Sequence, residues 1–173
     1  LTHGKKGYEG VWEEVEEAAV RAQALKDALL RALDEDTEAF NRVMAAMRLP
    51  KKTDEQKAAR EAAMQEATRA ATRIPYGICE SALASFDAIE TMAAVGNENS
   101  ISDAGVAAHC ARTAVHGAAL NVRINLPGIE DEAFVREMRE GVERMTAEAD
   151  RRLEGVLKRV EEVLAKQGVS GTG

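Results

Sequence analysis

The sequence predicts an all-α fold, an antiparallel bundle of long helices, and three observations predict it. Ala, Glu and Arg are the most frequent residue types among the 173 residues, and only three prolines interrupt them. Apolar residues recur at three- and four-residue steps over long stretches, which is the period of an amphipathic helix. Aromatic residues make up only 3% of the chain, so the core must be built from Ala, Val, Leu, Ile and Met on closely packed helices.

The bulk properties bound the class of protein. At 173 residues the chain is long enough for one domain with a sizeable core, and we assign residues 1–173 to a single domain. A net charge of −7 argues against nucleic-acid or anionic-membrane binding. No apolar run approaches the roughly 20 residues of a membrane span, and no signal peptide is legible. Cys79 and Cys110 are far apart in helical patterns, which suits a reducing compartment. We therefore expect a cytoplasmic protein.

Four helices are predicted, with short connections between them. They run from about Tyr8 to Met47, from Thr53 to about Val95, from Ser102 as N-cap to about Leu126, and from near Asp131 to about Lys166. Thr53-Asp54-Glu55-Gln56 predicts a capping box at the start of the second helix. Pro75 removes a backbone donor and is expected to kink or split that helix. The Gly-Ser-Thr tail is expected to fray. Short loops favour an antiparallel bundle, and the length of the helices favours a homodimer.

One face of the first helix carries a charged residue among apolar ones. That face consists of Leu25, Leu29, Leu33, Asp36, Phe40, Val43 and Met47. The six apolar side chains are expected in the core, where an unpaired carboxylate would cost several kcal/mol. Asp36 is therefore expected either to pair with an arginine of another helix or to face a cleft where it does chemistry. The pattern leaves both interpretations open.

The third helix is narrow, because small residues recur along its length, and we expect it at the centre of the bundle. One of its faces consists of Asp103, Ala107, Cys110, Ala114, Gly117, Asn121 and Asn125. Asp103 lies in the first turn, where the helix dipole stabilises an anion. It is either a capping-turn carboxylate or a functional one. Asn121 and Asn125 either bridge helix ends or bind a ligand, because a buried amide needs a partner.

Several kinds of site are not predicted. His109 and His116 are seven residues apart, two helical turns rather than one, and no cluster has the spacing of a metal site. No Ser-His-Asp or Cys-His arrangement and no Gly-rich phosphate loop is legible. Basic residues near the predicted helix ends are Lys5, Lys6, Arg48, Lys51 and Lys52. They form a solvated surface or, if they converge at the mouth of a cleft, would bind a ligand that carries carboxylates.

Four segments, taken in order, resemble one family. They are Leu1-Thr2-His3-Gly4-Lys5-Lys6-Gly7-Tyr8, then Asp36-Thr37-Glu38-Ala39-Phe40 with Arg48-Leu49-Pro50-Lys51, then Gly96-Asn97 with Ser102-Asp103, and finally Asn121-Val122-Arg123-Ile124-Asn125-Leu126. Over essentially its whole length the chain resembles the cyclodeaminase/cyclohydrolase family of one-carbon folate metabolism. That family normally has a Pro-Gly-Gly-Gly-Ser turn and a small-residue helix before the Leu-Thr segment, and this sequence contains neither.

The resemblance implies an all-helical, dimer-forming domain with a tetrahydrofolate derivative as substrate and no metal or organic cofactor. By position, it implies that Asp36 is the catalytic acid/base, and we add the hypothesis that Asp103 gives electrostatic support. The predicted substrate-binding residues are Lys5, Lys6, Phe40, Arg48, Lys51, Asn121 and Asn125. A homodimer is expected, and a formimidoyltransferase is a candidate partner.

Three functional hypotheses follow. The first is a formimidoyltetrahydrofolate cyclodeaminase that forms 5,10-methenyltetrahydrofolate and ammonia. The second is a 5,10-methenyltetrahydrofolate cyclohydrolase that forms 10-formyltetrahydrofolate. The third is a non-enzymatic helical assembly protein, for which Asp36→Leu would stabilise the fold.

Overall fold

The computed structural model describes residues 1–168, and these form four long α-helices and no strand. The helices are α1 (Trp12–Met47), α2 (Asp54–Val95), α3 (Ile101–Asn125) and α4 (Glu132–Lys166). Short 3-10 turns at Glu9–Val11, Glu98–Ser100 and Leu126–Gly128 lead into or out of them. The all-α prediction and the four predicted helices are confirmed. The predicted fraying of the tail concerns residues 169–173, which lie outside the described residues.

The residues at which α2, α3 and α4 begin can be compared with the predicted N-terminal caps. Thr53 caps α2 through the predicted capping box, in which its Oγ1 accepts a hydrogen bond from the Gln56 N–H. Asp131 caps α4. The prediction that Ser102 caps α3 is wrong, because the turn at Glu98–Ser100 leads directly into a helix that has already begun at Ile101.

Two further boundaries differ from the predictions or refine them. The first helix begins at Trp12 rather than near Tyr8, because a 3-10 turn occupies Glu9–Val11. Pro75 is buried within α2, which continues from Asp54 to Val95 as one helix. The predicted split is therefore wrong, whereas the kink stays a prediction.

The core lies where α2 meets α3 and α4. α2 packs against each of the other three helices, while α1 packs mainly against α2. The largest fully buried core side chains are Phe86, Val115, Val122, Val142 and Val163, and many buried alanines surround them. The predicted core of Ala, Val, Leu, Ile and Met side chains is confirmed, and Cys79, Phe86 and Phe134 are added to it. The expectation that the third helix is central is wrong, because α2 has that position and α3 keeps one face exposed.

Close packing of α4 on α2 depends on a missing side chain. A Cβ on Gly141 would overlap the hydroxyl group and ring of Tyr76, so glycine leaves the space in which the Tyr76 side chain lies against the α4 backbone. Burial of the Tyr76 ring between the helices also raises the pKa of its hydroxyl.

The predicted core face of α1 is largely outside the core. Leu33, Phe40 and Met47 are 64%, 61% and 48% exposed, so the expectation that these three are buried is wrong. The physical reason is that α1 has α2 as its main neighbour and is covered on one side only. Leu25, Leu29 and Val43 are half-buried.

An ion-pair cluster joins α4 to α2. The guanidinium of Arg152, whose side chain is only 13% exposed, lies 2.5 Å from a Glu90 carboxylate oxygen and 2.6 Å from an Asp87 carboxylate oxygen. It also donates to the Leu83 carbonyl oxygen and stacks over the Phe86 ring. These contacts hold the pKa of the Arg152 guanidinium above its ordinary value. The cluster therefore stabilises the α2–α4 interface.

We expect Arg152→Met to lower the free energy of unfolding by about 2 kcal/mol, because it removes charge-assisted hydrogen bonds in a partly buried setting. Arg151 provides the matched control, since its salt bridge to Glu148 is on the surface with the arginine side chain 70% exposed. Arg151→Met should lower the free energy of unfolding much less, because solvent screens an exposed ion pair. Urea denaturation at one protein concentration measures both. Equal destabilisation by the two variants would contradict the assigned role of the cluster.

Candidate functional site

The N-terminal segment is tied to the turn between α2 and α3. The backbone N–H of Asn97 donates to the Thr2 Oγ1 at 2.9 Å, and its side-chain amide donates to the Leu1 carbonyl oxygen at 3.4 Å. The Tyr8 hydroxyl donates to the Asn97 Oδ1 at 3.4 Å. Two of the segments that resemble the family are therefore in contact, although about ninety residues separate them in the sequence.

A cavity of about 270 Å³ lies at this junction. It is lined by Leu1, Thr2, Met92, Asn97, Ser100, Asp103 and Ala104. Asp103, a predicted site residue, borders the cavity. A Cβ on Gly96 would overlap the Met92 carbonyl oxygen, so glycine is required for the turn that places Asn97 there. Thr2 and Asn97 were not among the predicted site residues. Both belong to the segments that resemble the family, and this was the sequence feature that could have identified them.

Asp36 is exposed on α1, and the apolar face that carries it is largely outside the core. Within residues 1–168, no lysine, arginine or histidine nitrogen lies within 4.0 Å of its carboxylate. The interpretation of Asp36 as half of an interhelical ion pair therefore finds no support in this part of the chain. The interpretation that it faces a cleft is the one that the geometry favours.

A helical projection places such a cleft between α1 and α3, with α2 as its floor. α1 contacts the side of α2 that carries Ile74 and Ser81, whereas α3 contacts the side that carries Cys79. In that projection, a strip of half-buried α2 residues lies between the side that contacts α1 and the side that contacts α3. The strip consists of Ala71, Ile78 and Ser85, and we call the space above it the α1–α3 groove.

The two walls of the α1–α3 groove carry predicted site residues at the same height. Glu35, next to Asp36, shares a cavity with Arg73 of α2. Across the groove, the Cys79 thiol donates to the Val115 carbonyl oxygen at 3.4 Å. Asn121 lies six residues after Val115, and Arg73 lies six residues before Cys79. Because α2 and α3 are antiparallel, Asn121 is therefore level with Arg73. The carboxylate of Asp36 and the amide of Asn121 thus face the groove at one level.

Phe40 and Asn125 extend this group of residues by one turn. The Phe40 ring is 61% exposed on the same face of α1 as Asp36. Asn125 is half-buried at the end of α3, next to Asn121 on its inner side. The groove end defined by Asp36, Phe40, Asn121 and Asn125 therefore combines a carboxylate, an aromatic ring and two amides.

The remaining predicted residues do not meet this group within one chain. Asp103 and Asn121 are 18 residues apart on α3, which is about 27 Å along the axis. Lys5 and Lys6 lie with Tyr8 near the end of α2, whereas Arg48 and Lys51 follow the opposite end of α1. A single copy therefore divides the predicted site into two groups at opposite ends of the groove.

The other titratable side chains have structural partners. His116 Nε2 lies 2.9 Å from the Asp150 Oδ1, to which Arg112 also donates at 2.7 Å. The hydrogen bond from Arg112 holds the pKa of Asp150 below its ordinary value. Burial raises the pKa of the Cys79 thiol to about 11. Among residues 1–168, no three His, Cys, Asp or Glu side chains are grouped to hold a metal ion, and no helix there is long and apolar enough to span a membrane.

Comparison with known proteins gives consistent matches. Residues 1–144 match the formiminotransferase-cyclodeaminase family. A methenyltetrahydrofolate cyclohydrolase of Methylorubrum extorquens is 42% identical over 149 residues, which cover 86% of this chain and 72% of that protein. A formimidoyltransferase-cyclodeaminase of Sus scrofa is 34% identical over 161 residues, which cover 93% of this chain but only 30% of that protein.

The fold is also similar to that of a solved protein. A crystal structure of formiminotetrahydrofolate cyclodeaminase from Thermotoga maritima superposes with a TM-score of 0.77 at 29% identity, covering 96% of this chain and 77% of that chain. The relatives are named as enzymes, which argues against a non-enzymatic assembly protein. The extent of the sequence match, together with this shared fold, shows that the chain belongs to the formiminotransferase-cyclodeaminase family of enzymes in one-carbon folate metabolism.

Proposed function

We propose that this protein acts on the one-carbon bridge between N5 and N10 of tetrahydrofolate, and that it is first a 5,10-methenyltetrahydrofolate cyclohydrolase. The observation that carries this proposal is the 42% identity to a methenyltetrahydrofolate cyclohydrolase over 86% of this chain and 72% of that protein. This identity reverses the order of the two enzymatic hypotheses that the sequence alone favoured. Cyclodeaminase activity is the second candidate.

The α1–α3 groove supports chemistry at a cationic centre. The methenyl bridge carries a delocalised positive charge, and the Asp36 carboxylate is a free anion on the groove wall that stabilises such a charge. Asn121 and Asn125 provide amide donors and acceptors on the facing wall. The exposed Phe40 ring on the Asp36 side supplies an apolar surface for the flat pterin.

The hydrolytic reaction follows from these groups. Water attacks the bridge carbon while the Asp36 carboxylate accepts a proton from it as general base. A neutral tetrahedral intermediate forms, held by the asparagine amides. The bond between the bridge carbon and N5 then breaks, N5 acquires a proton, and the carbon remains on N10 as a formyl group. The balance is one water consumed and one proton released.

The cyclodeaminase alternative uses the same residues in the opposite sense. N10 of 5-formimidoyltetrahydrofolate attacks the formimidoyl carbon, and Asp36 in its acid form protonates the departing nitrogen. Ammonia leaves and the methenyl bridge forms. The names of the Sus scrofa and Thermotoga maritima relatives support this alternative. A formimidoyltransferase partner belongs to this alternative only, since the transferase would supply its substrate.

Basic side chains near the site are assigned to the carboxylates of the folate glutamate tail. They are Lys5, Lys6, Arg48 and Lys51. The electrostatic support from Asp103 requires it to approach the bridge, which one copy of the chain does not allow. The proposal includes no metal or organic cofactor, a cytoplasmic location and a homodimer.

The reaction is identified by absorbance at the methenyl-folate band, with each substrate offered separately. We expect the protein to accelerate the loss of supplied 5,10-methenyltetrahydrofolate. Growth of the band from 5-formimidoyltetrahydrofolate would instead identify the cyclodeaminase. If neither rate changes for a folded protein, the proposed function is wrong.

We expect Asp36→Asn to lower kcat by about 10²–10⁴-fold, the range of general acid–base catalysis. Asp34→Asn is the matched control, since Asp34 is also exposed on α1 but points about 160° away around the helix. The control should keep the kcat of the unmodified protein. Stopped-flow absorbance measures both, and circular dichroism checks that both variants are folded. Full turnover by Asp36→Asn would remove Asp36 from the mechanism.

A further inference from the structure

The connection between α3 and α4 is hydrogen-bonded to α2 by one glutamine side chain. We call residues 126–130 the α3–α4 connection. The Nε2 of Gln65 donates to the Gly128 carbonyl oxygen at 2.9 Å, and the backbone N–H of Glu130 donates to the Gln65 Oε1 at 3.0 Å. These bonds join residues that are 63 and 65 positions apart in the sequence. Gln65 therefore holds the backbone of the connection from both sides of Ile129.

Three hydrogen bonds fix the orientation of the Gln65 amide. Besides the bond to Gly128, its Nε2 donates to the Glu61 Oε1 at 3.2 Å, one turn earlier on α2. Both Nε2 partners are acceptors and the Oε1 partner is a donor, so an exchange of the two amide atoms would break all three bonds. The side chain is also half-buried between α2 and the connection. The amide is thus a rigid link rather than a mobile surface group.

The segment that Gln65 holds follows directly after Asn125. α3 ends at Asn125, and the 3-10 turn Leu126–Gly128 continues from it. Leu126 and Ile129 are buried, but apolar burial is non-directional. Hydrogen bonds have a narrow range of angles and therefore restrain the rotation of a chain segment. Gln65 supplies this directional restraint at the end of α3.

The position of Asn125 matters because its amide is available to a ligand. The side chain is half-buried and makes no capping hydrogen bond to the 3-10 turn that follows it. An amide that the protein does not hold directly is placed by its backbone, and a binding group must be placed closely to act. The restraint on the backbone after Asn125 therefore sets where its amide lies in the α1–α3 groove.

We propose that Gln65 is a positioning residue for the reaction and acts on Asn125 through the α3–α4 connection. This inference rests on the proposed function, in which the Asn125 amide holds the tetrahedral intermediate. In the antiparallel register of α2 and α3, Asn125 is level with Arg69, and Gln65 lies one turn further along α2. Gln65 points about 120° away from Ala71 on the groove floor. It therefore supports the wall of the groove without lining it.

Gln65→Glu tests this role with a side chain of the same shape. It keeps an oxygen for the Glu130 N–H but places a second oxygen against the Gly128 carbonyl and the Glu61 carboxylate. We expect kcat to fall between about tenfold and about 10²-fold, as for other misplaced groups. KM should change less than about twofold, because the amide acts on the intermediate. Gln65→Met removes both hydrogen bonds to the connection without adding charge and should give a similar loss of kcat. Stopped-flow absorbance at the methenyl-folate band measures both variants.

A second substitution separates positioning from a general loss of stability. Asn125→Ala should lower kcat by itself, and Gln65→Glu should lower it no further in the Asn125→Ala background. Urea denaturation should show that Gln65→Glu lowers the free energy of unfolding equally in both backgrounds. Equal losses of kcat from Gln65→Glu in the two backgrounds, or no loss in either, would overturn the proposal.

Arg69→Met is the matched control for the link between α2 and α4. The Arg69 salt bridge to Asp131 also joins α2 to the start of α4, at 3.6 Å, but it does not hold the α3–α4 connection. We expect this variant to keep the kcat of the unmodified protein. A loss of kcat as large as that of Gln65→Glu would assign the effect to helix packing and overturn the proposal.

Nuclear magnetic resonance tests the positioning without turnover. We expect Gln65→Met to shift the side-chain amide signals of Asn125 and to leave those of Asn121, which lies one turn earlier within α3, in place. Unchanged Asn125 signals would overturn the proposal. If the unmodified protein converts neither folate, the proposed function is wrong, and the Asn125 signals then decide whether Gln65 positions that side chain.

Discussion

The central position of α2 determines which faces of the other helices are covered. α2 contacts all three neighbours, and it is held to α4 by the Arg152 cluster and by the close approach at Gly141. α3 and α4 cover each other as well as α2, so their inner faces form a complete core. α1 has α2 as its main neighbour. One side of α1 and one side of α3 are therefore left free, and the groove between them is where the predicted site residues lie.

The sequence predicted the elements well because their signals are local. The helix ends at Thr53 and Asp131 depend on side-chain caps within three residues, and the structure contains both. Ser102 failed as a cap because the preceding residues form a 3-10 turn that continues into the helix. Pro75 did not split α2, since tertiary packing of a buried proline offsets the loss of one backbone donor.

Burial was harder to predict, because the helical period of a sequence identifies the apolar face of a helix but not which other helix packs against that face. Phe40 and Ile124 belong to apolar faces, yet both are exposed in a single copy. Asp36 became a site candidate because the apolar face around it was expected in the core, yet much of that face is exposed. The helical period relates only residues within one helix. The family resemblance also drew attention to the segments of Thr2 and Asn97, which are far apart in the sequence and form a hydrogen bond.

Proton chemistry in the groove depends on how far water is excluded from it. An exposed carboxylate such as Asp36 is screened by solvent, and its interaction with a cationic methenyl bridge is weak in a medium of high dielectric constant. A wall that displaces water strengthens that interaction and limits the water present to the reacting molecule. One copy of the chain leaves the groove open above Ala71 and Ile78.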